Sequence, residues 1–337
     1  MILLSVGDEK HGDSVAALVA PGELVDLRPL IGGSWPDLGF SPMRWLLHVT
    51  GGVPRFEARD LEQLPRIPLD SVTIAPVVPD PSKIIAAPVN YRDHQAEMRA
   101  EHQIEGLGVF LKAPTSVLGH QDSIRLPYTD RRFDQEGELA VVIARRARKI
   151  SVNDAAEVVA GYTCLLDITM RGGEDRSTRK SFDTFTPIGP QLVTPDEVGD
   201  PTSLRLRTTV NDTVRQDAAI ADLIWDVPHL ISYASSVMTL LPGDVISTGT
   251  PAGVGPLADG DRVSVDIDGV GTLSVSVSAD AAIACPTRGA GHGPQPPAQI
   301  TPRSRAECAV PPTGTAQPAS DNADRPPTRI PSETGRR

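Results

Sequence analysis

Lysine is nearly absent from this chain. Of 337 residues, only Lys10, Lys83, Lys112, Lys149 and Lys180 carry that side chain. A lysine inside a recognisable pattern is therefore more than background. Cysteine is scarcer still. Cys164, Cys285 and Cys308 cannot build a disulfide framework and lack the paired spacing of a zinc site. Cys164 sits in an apolar run and reads as a reduced core thiol. Long apolar runs are missing too. Met1–Val6 stops at Gly7-Asp8, too short for a signal-peptide core, and nothing approaches the roughly 18 apolar residues of a membrane span. Excess positive charge is also lacking. A formal charge of −11 argues against a binder of phosphate backbones, which needs Lys and Arg to displace counterions. The expectation is a soluble cytoplasmic protein without nucleic-acid or membrane partners.

Three zones follow along the chain. Residues 1–78 mix short apolar runs with Gly and Pro and read as a small N-terminal domain. Ser14–Asp26 is a strand pair around the turn Pro21-Gly22, and Pro76–Pro81 reads as a linker. Residues 79–283 hold the dense pattern and read as the main domain. Residues 284–337 contain 11 prolines and no Leu, Met or aromatic residue. Such a segment buries too little apolar surface to offset its ordering entropy, so a disordered tail is expected. The tail's seven Arg against four acids leave the body at about −14. In the middle zone, Glu138–Ala144, Val159–Thr169, Leu204–Val210 and Val263–Ile267 read as strands. Asn211-Asp212, Pro242-Gly243-Asp244, Asp259-Gly260 and Asp268-Gly269 mark turns. Helices are expected at Tyr91–His102, Asn153–Val159 and Val227–Leu240. The fold class is mixed α+β, mainly β.

Five constellations bear chemistry. Glu136 and Glu138, two apart on a strand, project to one face. They are either solvated acids on an exposed edge or a buried pair that a cation must join. Asp167 lies in an apolar strand and either caps a turn or adds a third carboxylate. Three carboxylates without His or Cys suit a hard cation, with water completing an octahedron. That favours Mg²⁺ or Mn²⁺ over a Ca²⁺ cage. His94 and Glu97 share one helix face. They are either an ordinary surface contact or a carboxylate-oriented base that activates water. Lys180 is a solvated loop residue or a partner for a substrate carboxylate or developing oxyanion. Ser247–Gly255 is a rigid Pro/Gly turn or a loop that wraps a small ligand. It lacks the Gly-Lys-Ser/Thr ending of a P-loop.

Their order along the chain narrows these alternatives. KIIAAPVNYRDHQAEM at 83–98, FLKAPTSVLGH at 110–120, FDQEGELAVVI at 133–143, AGYTCLLDIT at 160–169, KSFDTFTPIGPQLV at 180–193 and LLPGDVISTGTPAGVG at 240–255 resemble the catalytic domain of the fumarylacetoacetate hydrolase family. The resemblance covers about residues 79–278, and the first zone is similar to that family's smaller N-terminal domain. It implies a β-sandwich roll, usually a homodimer. It assigns Glu136, Glu138 and Asp167 to the metal, His94 and Glu97 to a water-activating dyad, Lys180 to the active-site lysine and Thr250 to substrate contact.

Two departures stand out. Some members carry a further acidic ligand seven residues before the histidine, where this chain has Ala87. Many have Ala-Arg-Asp after the third ligand, where this chain has Met170–Arg176 and a short loop to Lys180. Arg92, Arg171 and Arg176 are candidates for a second substrate carboxylate. The expected activity is metal-dependent hydrolysis of a C–C bond in a small 1,3-diketo acid of the acylpyruvate or fumarylpyruvate type. The alternatives are an isomerase, hydratase or decarboxylase of a related keto acid, or a non-catalytic metal-binding relative.

Overall fold

A computed structural model describes residues 1–8, 12–32, 34, 39–289 and 296. Its centre is the strand Gly137–Ile143, every residue of which is buried. Its continuous apolar run Leu139–Ile143 is buried on both faces. Here it pairs antiparallel with Val159–Leu166 on one side and Val245–Ser247 on the other. The main sheet continues through Thr186–Val193 and through Ile84–Ala86 to Phe110–Lys112. A second sheet holds Arg205–Val210, Thr213–Ala219, Arg262–Ile267, Gly271–Ser278 and Ser123–Arg125. A three-stranded sheet of Thr169–Arg171, Arg132–Gln135 and Gly255–Pro256 lies at the end of the central strand. The core between the sheets includes Leu139, Val141, Leu206, Val263, Val265 and Leu273, all at 0% exposure. The result is the mixed, mainly β sandwich roll expected.

The first zone is joined to this body by hydrogen bonds. Ile2–Asp8 pairs with Thr186–Val193, placing Ile2 opposite Val193, so its hairpin Gly12–Ala20/Glu23–Asp26 prolongs the main sheet. Leu3, Val15 and Leu47 share a core with Val142, Ala160 and Leu192. The segment read as a linker is packed: Val77 and Val78 are fully buried, and the Val77 carbonyl accepts the Ser5 hydroxyl at 2.8 Å.

Helices are shorter than their patterns suggest. Of Tyr91–His102 only Arg92–Met98 is helical, ended by Arg99 in the left-handed region at φ 49°; a separate short helix, Ile104–Leu107, follows. Asn153–Val159 gives only a 3₁₀ turn, Ala155–Val158, because Val159 is drawn into the sheet. The helix expected at Val227–Leu240 starts where expected, with Asp226 accepting the His229 backbone N–H, but ends at Val237, where Met238 turns extended. Cys164 is buried and unpaired, and burial pushes its thiol well above the usual range. Beyond residue 283, the Cys285 N–H reaches Asp130 and the Thr287 hydroxyl reaches Glu174, each at 2.8 Å. Most of the proposed tail lies outside the described residues.

Candidate metal centre

Strand register builds the acidic cluster. Gly137 lies opposite Leu166 and Glu138 opposite Leu165. One step outward, the Asp167 N–H donates to the Glu136 carbonyl at 2.8 Å. Two segments some thirty residues apart thus deliver three carboxylates to one end of the sheet. Ligand oxygens of Glu136, Glu138 and Asp167 lie within 4.8 Å of one another, and all three residues are buried. The glycine between the two glutamates is dictated by packing. A Cβ on Gly137 would sit 2.0 Å from Thr208 Oγ1, so the opposite face of the strand closes directly onto the second sheet.

The three carboxylates differ in their environments. Burial pulls the Glu136 carboxyl upward, but Lys180 and Arg171 outweigh it and hold the group far below the usual range. Lys180 Nζ lies 2.7 Å from Glu136, and Arg171 Nη2 lies 2.9 Å from its other oxygen. Asp167 receives Lys180 at 2.6 Å and the fully buried Lys112 at 2.5 Å. Among the described residues Glu138 forms no ion pair. Its Oε2 accepts Ser247 Oγ and the Gly249 N–H. Burial, reinforced by the Asp167 charge, pushes this carboxyl up to about 8. A buried carboxylate held on one edge by two donors, beside two more hard oxygens, is a fitting seat for a divalent cation. Ala87 lines the cavity and offers no ligand oxygen from its side chain.

The second constellation meets the first across a cavity of about 220 Å³ lined by His94, Glu136, Glu138, Arg171, Lys180 and Thr250, among others. His94 and Glu97 are one turn apart on the helix Arg92–Met98, with Nδ1 to Oε2 at 3.0 Å. The other oxygen of Glu97 accepts the Gly253 N–H at 2.9 Å. Gly253 has φ +104°, and a Cβ there would meet the Arg215 carbonyl at 1.9 Å, so only glycine lets the loop come this close. Glu97 therefore holds the proton on Nδ1 and leaves Nε2 as the acceptor. The Thr250 hydroxyl donates to the Gly137 carbonyl and accepts from Gln216, which braces its loop against the Glu136–Glu138 strand.

Most residues singled out in the sequence converge here. Arg171 and Arg176 line the cavity, whereas Arg92 is exposed and is absent from the lining. The structure adds two further residues to the site. Lys112 grips Asp167 and the Phe185 carbonyl. The scarcity of lysine marked Lys112, but its partner, 55 residues away, could not be read from its neighbours. Arg179 also faces the cavity. It lies three residues after Arg176, a helical spacing visible in the sequence.

Comparison with known proteins agrees with this geometry. Residues 83–278 match the model described as fumarylacetoacetate (FAA) hydrolase C-terminal. A maleylpyruvate hydrolase of Aquipseudomonas alcaligenes is 41% identical over 254 residues, covering 72% of this chain and 88% of that protein. An oxaloacetate tautomerase of Bacillus subtilis is 42% identical over 220 residues, covering 61% of this chain and 73% of the tautomerase. The crystal structure of a maleylpyruvate hydrolase from Sphingobium sp. SYK-6, in complex with manganese(II) and pyruvate, superposes with a TM-score of 0.70 at 39% identity. It covers 85% of this chain and 100% of the other.

Proposed function

The chain belongs to the fumarylacetoacetate hydrolase family, and from that premise we propose that it is a divalent-metal-dependent hydrolase cutting a carbon–carbon bond in a small 1,3-diketo acid of the acylpyruvate or fumarylpyruvate type. The observation that carries this reading is one cavity lined by Glu136, Glu138 and His94, with Asp167 clustered against the two glutamates and Glu97 bonded to the histidine. Similarity to two maleylpyruvate hydrolases supports it.

Glu136, Glu138 and Asp167 would hold Mg²⁺ or Mn²⁺, which when bound supplies Lewis-acid polarisation of the substrate's oxygens. The chain's own residues do the rest. His94 Nε2 takes a proton from water, and Glu97 steadies the imidazolium. The hydroxide adds to the distal carbonyl carbon. The bond from that carbon to the central carbon breaks, and its electron pair passes to the pyruvate fragment as an enolate. The imidazolium returns its proton to the enolate carbon, so water and the diketo acid become pyruvate and a carboxylic acid. Lys180 and Arg171 sit against the acidic cluster, where positive charge lowers the energy of the enolate. Thr250 and Arg176 line the cavity where the substrate would sit, and Arg92 lies outside that lining.

Assay of the purified protein on acylpyruvates with and without EDTA tests this directly. Activity should vanish with the metal. His94→Ala should lower kcat by about 10²–10⁴, and His94→Ala with Glu97→Ala should cost no more than either alone. A second reading draws on the tautomerase similarity: the same site moves a proton without attacking water. Retention of full C–C cleavage in His94→Ala would sink the hydrolytic dyad, and ketonisation without cleavage would put the tautomerase reading in its place.

A further inference from the structure

Two of the five lysines grip one carboxylate. Lys180 Nζ donates to Asp167 Oδ2 at 2.6 Å, and Lys112 Nζ donates to Asp167 Oδ1 at 2.5 Å. Their settings differ. Lys180 lines the cavity and also reaches Glu136 and Thr169. Lys112 is absent from that lining, and its side chain has no exposed surface. The reaction steps given above make no use of it.

Local structure explains how an ammonium comes to lie there. Phe110–Lys112 is an edge strand of the main sheet, with Ala86 opposite Phe110 and Ile84 opposite Lys112. Alternation places Phe110 and Lys112 on one face and Leu111 on the other. Phe110 thus borders the cavity, Leu111 is exposed and Lys112 is buried. The chain beyond the strand is fastened as well. The Ala113 N–H donates to Ser181 Oγ at 2.9 Å, and the Ser116 and Thr186 hydroxyls lie 2.6 Å apart. These bonds tie the lysine to the segment that carries Lys180 and Phe185.

The ammonium closes a small circuit. Besides Asp167, it donates to the Phe185 carbonyl at 2.9 Å. The same carbonyl accepts the backbone N–H of Ile168, the residue after Asp167, at 3.1 Å. Side chain and backbone of this segment are therefore fixed from one point. With Oδ1 held from the interior, Oδ2 is the oxygen that meets Lys180, which also binds Glu136 Oε2. A buried ion pair adds little stability over apolar residues of similar volume. Burial also pulls the Lys112 ammonium below the ordinary lysine range. Orientation of a metal ligand is what such a costly pair supplies.

We propose that Lys112 is a positioning residue of the metal centre: by holding Asp167 Oδ1 from the interior, it fixes the carboxylate in the orientation that binds a divalent cation, without touching substrate. The inference rests on the metal reading given above.

The test uses the full chain, with Mn²⁺ alone as the probe. Lys112→Met keeps much of the side chain's length and loses its charge. Its Mn²⁺ affinity by calorimetry should weaken about 10–100-fold, as for other residues that orient a metal ligand. Charge alone predicts the opposite sign, because removing a cation beside a ligand tightens its hold on Mn²⁺. The loss relative to wild type should be the same at about pH 7 and about pH 9, whereas protonation of an abandoned Asp167 would make it fade at the higher value. With an acylpyruvate at saturating Mn²⁺, kcat should fall while KM stays within about threefold, because Lys112 does not face the cavity. Unchanged or tighter Mn²⁺ binding in Lys112→Met, or a loss that fades at high pH, would overturn the role of Lys112 alone. A wild type that binds no Mn²⁺ would overturn the metal centre itself, and this role with it.

A second arm does not depend on the Met variant folding. With ¹⁵N in the lysine side chains, nuclear magnetic resonance should show the wild-type Lys112 ammonium exchanging its protons slowly with solvent. It should keep that protection when Mg²⁺ saturates the protein. Among the described residues only Lys112 and Lys180 are buried lysines, and Lys180→Gln identifies the second signal. Fast exchange on adding Mg²⁺ would show that the ion drives Lys112 off Asp167, and would overturn the proposal.

Discussion

Glu136 and Glu138 are separated by a single glycine in sequence, yet they are opposite in electrostatic character. Glu136 is neutralised by Lys180 and Arg171, whereas Glu138, among the described residues, forms no ion pair and accepts hydrogen bonds from Ser247 and Gly249 beside the Asp167 carboxylate. The difference makes a prediction for metal binding. The Glu138 carboxyl is held at about 8, above its ordinary 4.5, so without metal the folded protein binds a proton that the unfolded chain releases. Between those values, stability of the metal-free protein should fall as pH rises. Metal must displace that proton, so Mn²⁺ affinity should climb with pH until about 8 and then level off. Titration calorimetry in buffers of different ionisation enthalpy reads both affinity and proton release. An affinity flat across that window, with no proton released, would remove Glu138 from the ligand set.

At the scale of elements, the site is a consequence of strand register and of how closely two sheets approach. The pairing of Gly137 with Leu166 brings Asp167 to Glu136, and contact of Gly137 with Thr208 aims both glutamates at the cavity. Gly137→Ala should force the strand away from the second sheet and lower kcat by at least about tenfold, since sub-ångström misplacement of positioned groups is costly. Adding Thr208→Ala should recover part of the loss by opening space. No loss in the single variant, or no recovery in the double, would show that this contact does not set the geometry.

The same elements show how much could be read in advance. The central strand was legible because it is a continuous apolar run, and Glu136 with Glu138 because a strand repeats every two residues. His94 and Glu97 were legible through helical spacing. The end of that helix was not, because Arg99 adopts a left-handed conformation that its side chain does not announce. Lys112 escaped because its role depends on long-range pairing with Asp167. Val77 and Val78 looked like part of a linker because prolines flank them, yet they fill core volume between the first zone and the main sheet.

For the whole molecule, the first zone and the catalytic body share one sheet, and the chain beyond residue 283 returns to the loop that carries the arginines. Thr287 bonds Glu174, and Arg131 reaches both of them. A chain ending at Gly289 should melt within about 2 °C of the full one, since residues 290–337 contain no Leu, Met or aromatic side chain to build a core. A chain ending at Ile283 loses the Cys285–Asp130 and Thr287–Glu174 bonds, each worth about 1 kcal/mol net. It should melt several degrees lower, with KM raised as the arginine turn loosens. Scanning calorimetry and steady-state kinetics on both truncations distinguish these outcomes, and identical behaviour of the two would show that residues 284–289 do not support the loop.

The central claim is that this acidic, lysine-poor chain adds water across a carbon–carbon bond at a metal centre. It is tested most directly by turnover of an acylpyruvate with Mn²⁺ in ¹⁸O-enriched water, with the products resolved by mass spectrometry. The account predicts one pyruvate for each carboxylic acid released, one oxygen of that acid drawn from solvent, and no product when EDTA removes the metal. Carbon dioxide, a tautomer with its carbon skeleton intact, or cleavage that persists in EDTA would contradict it.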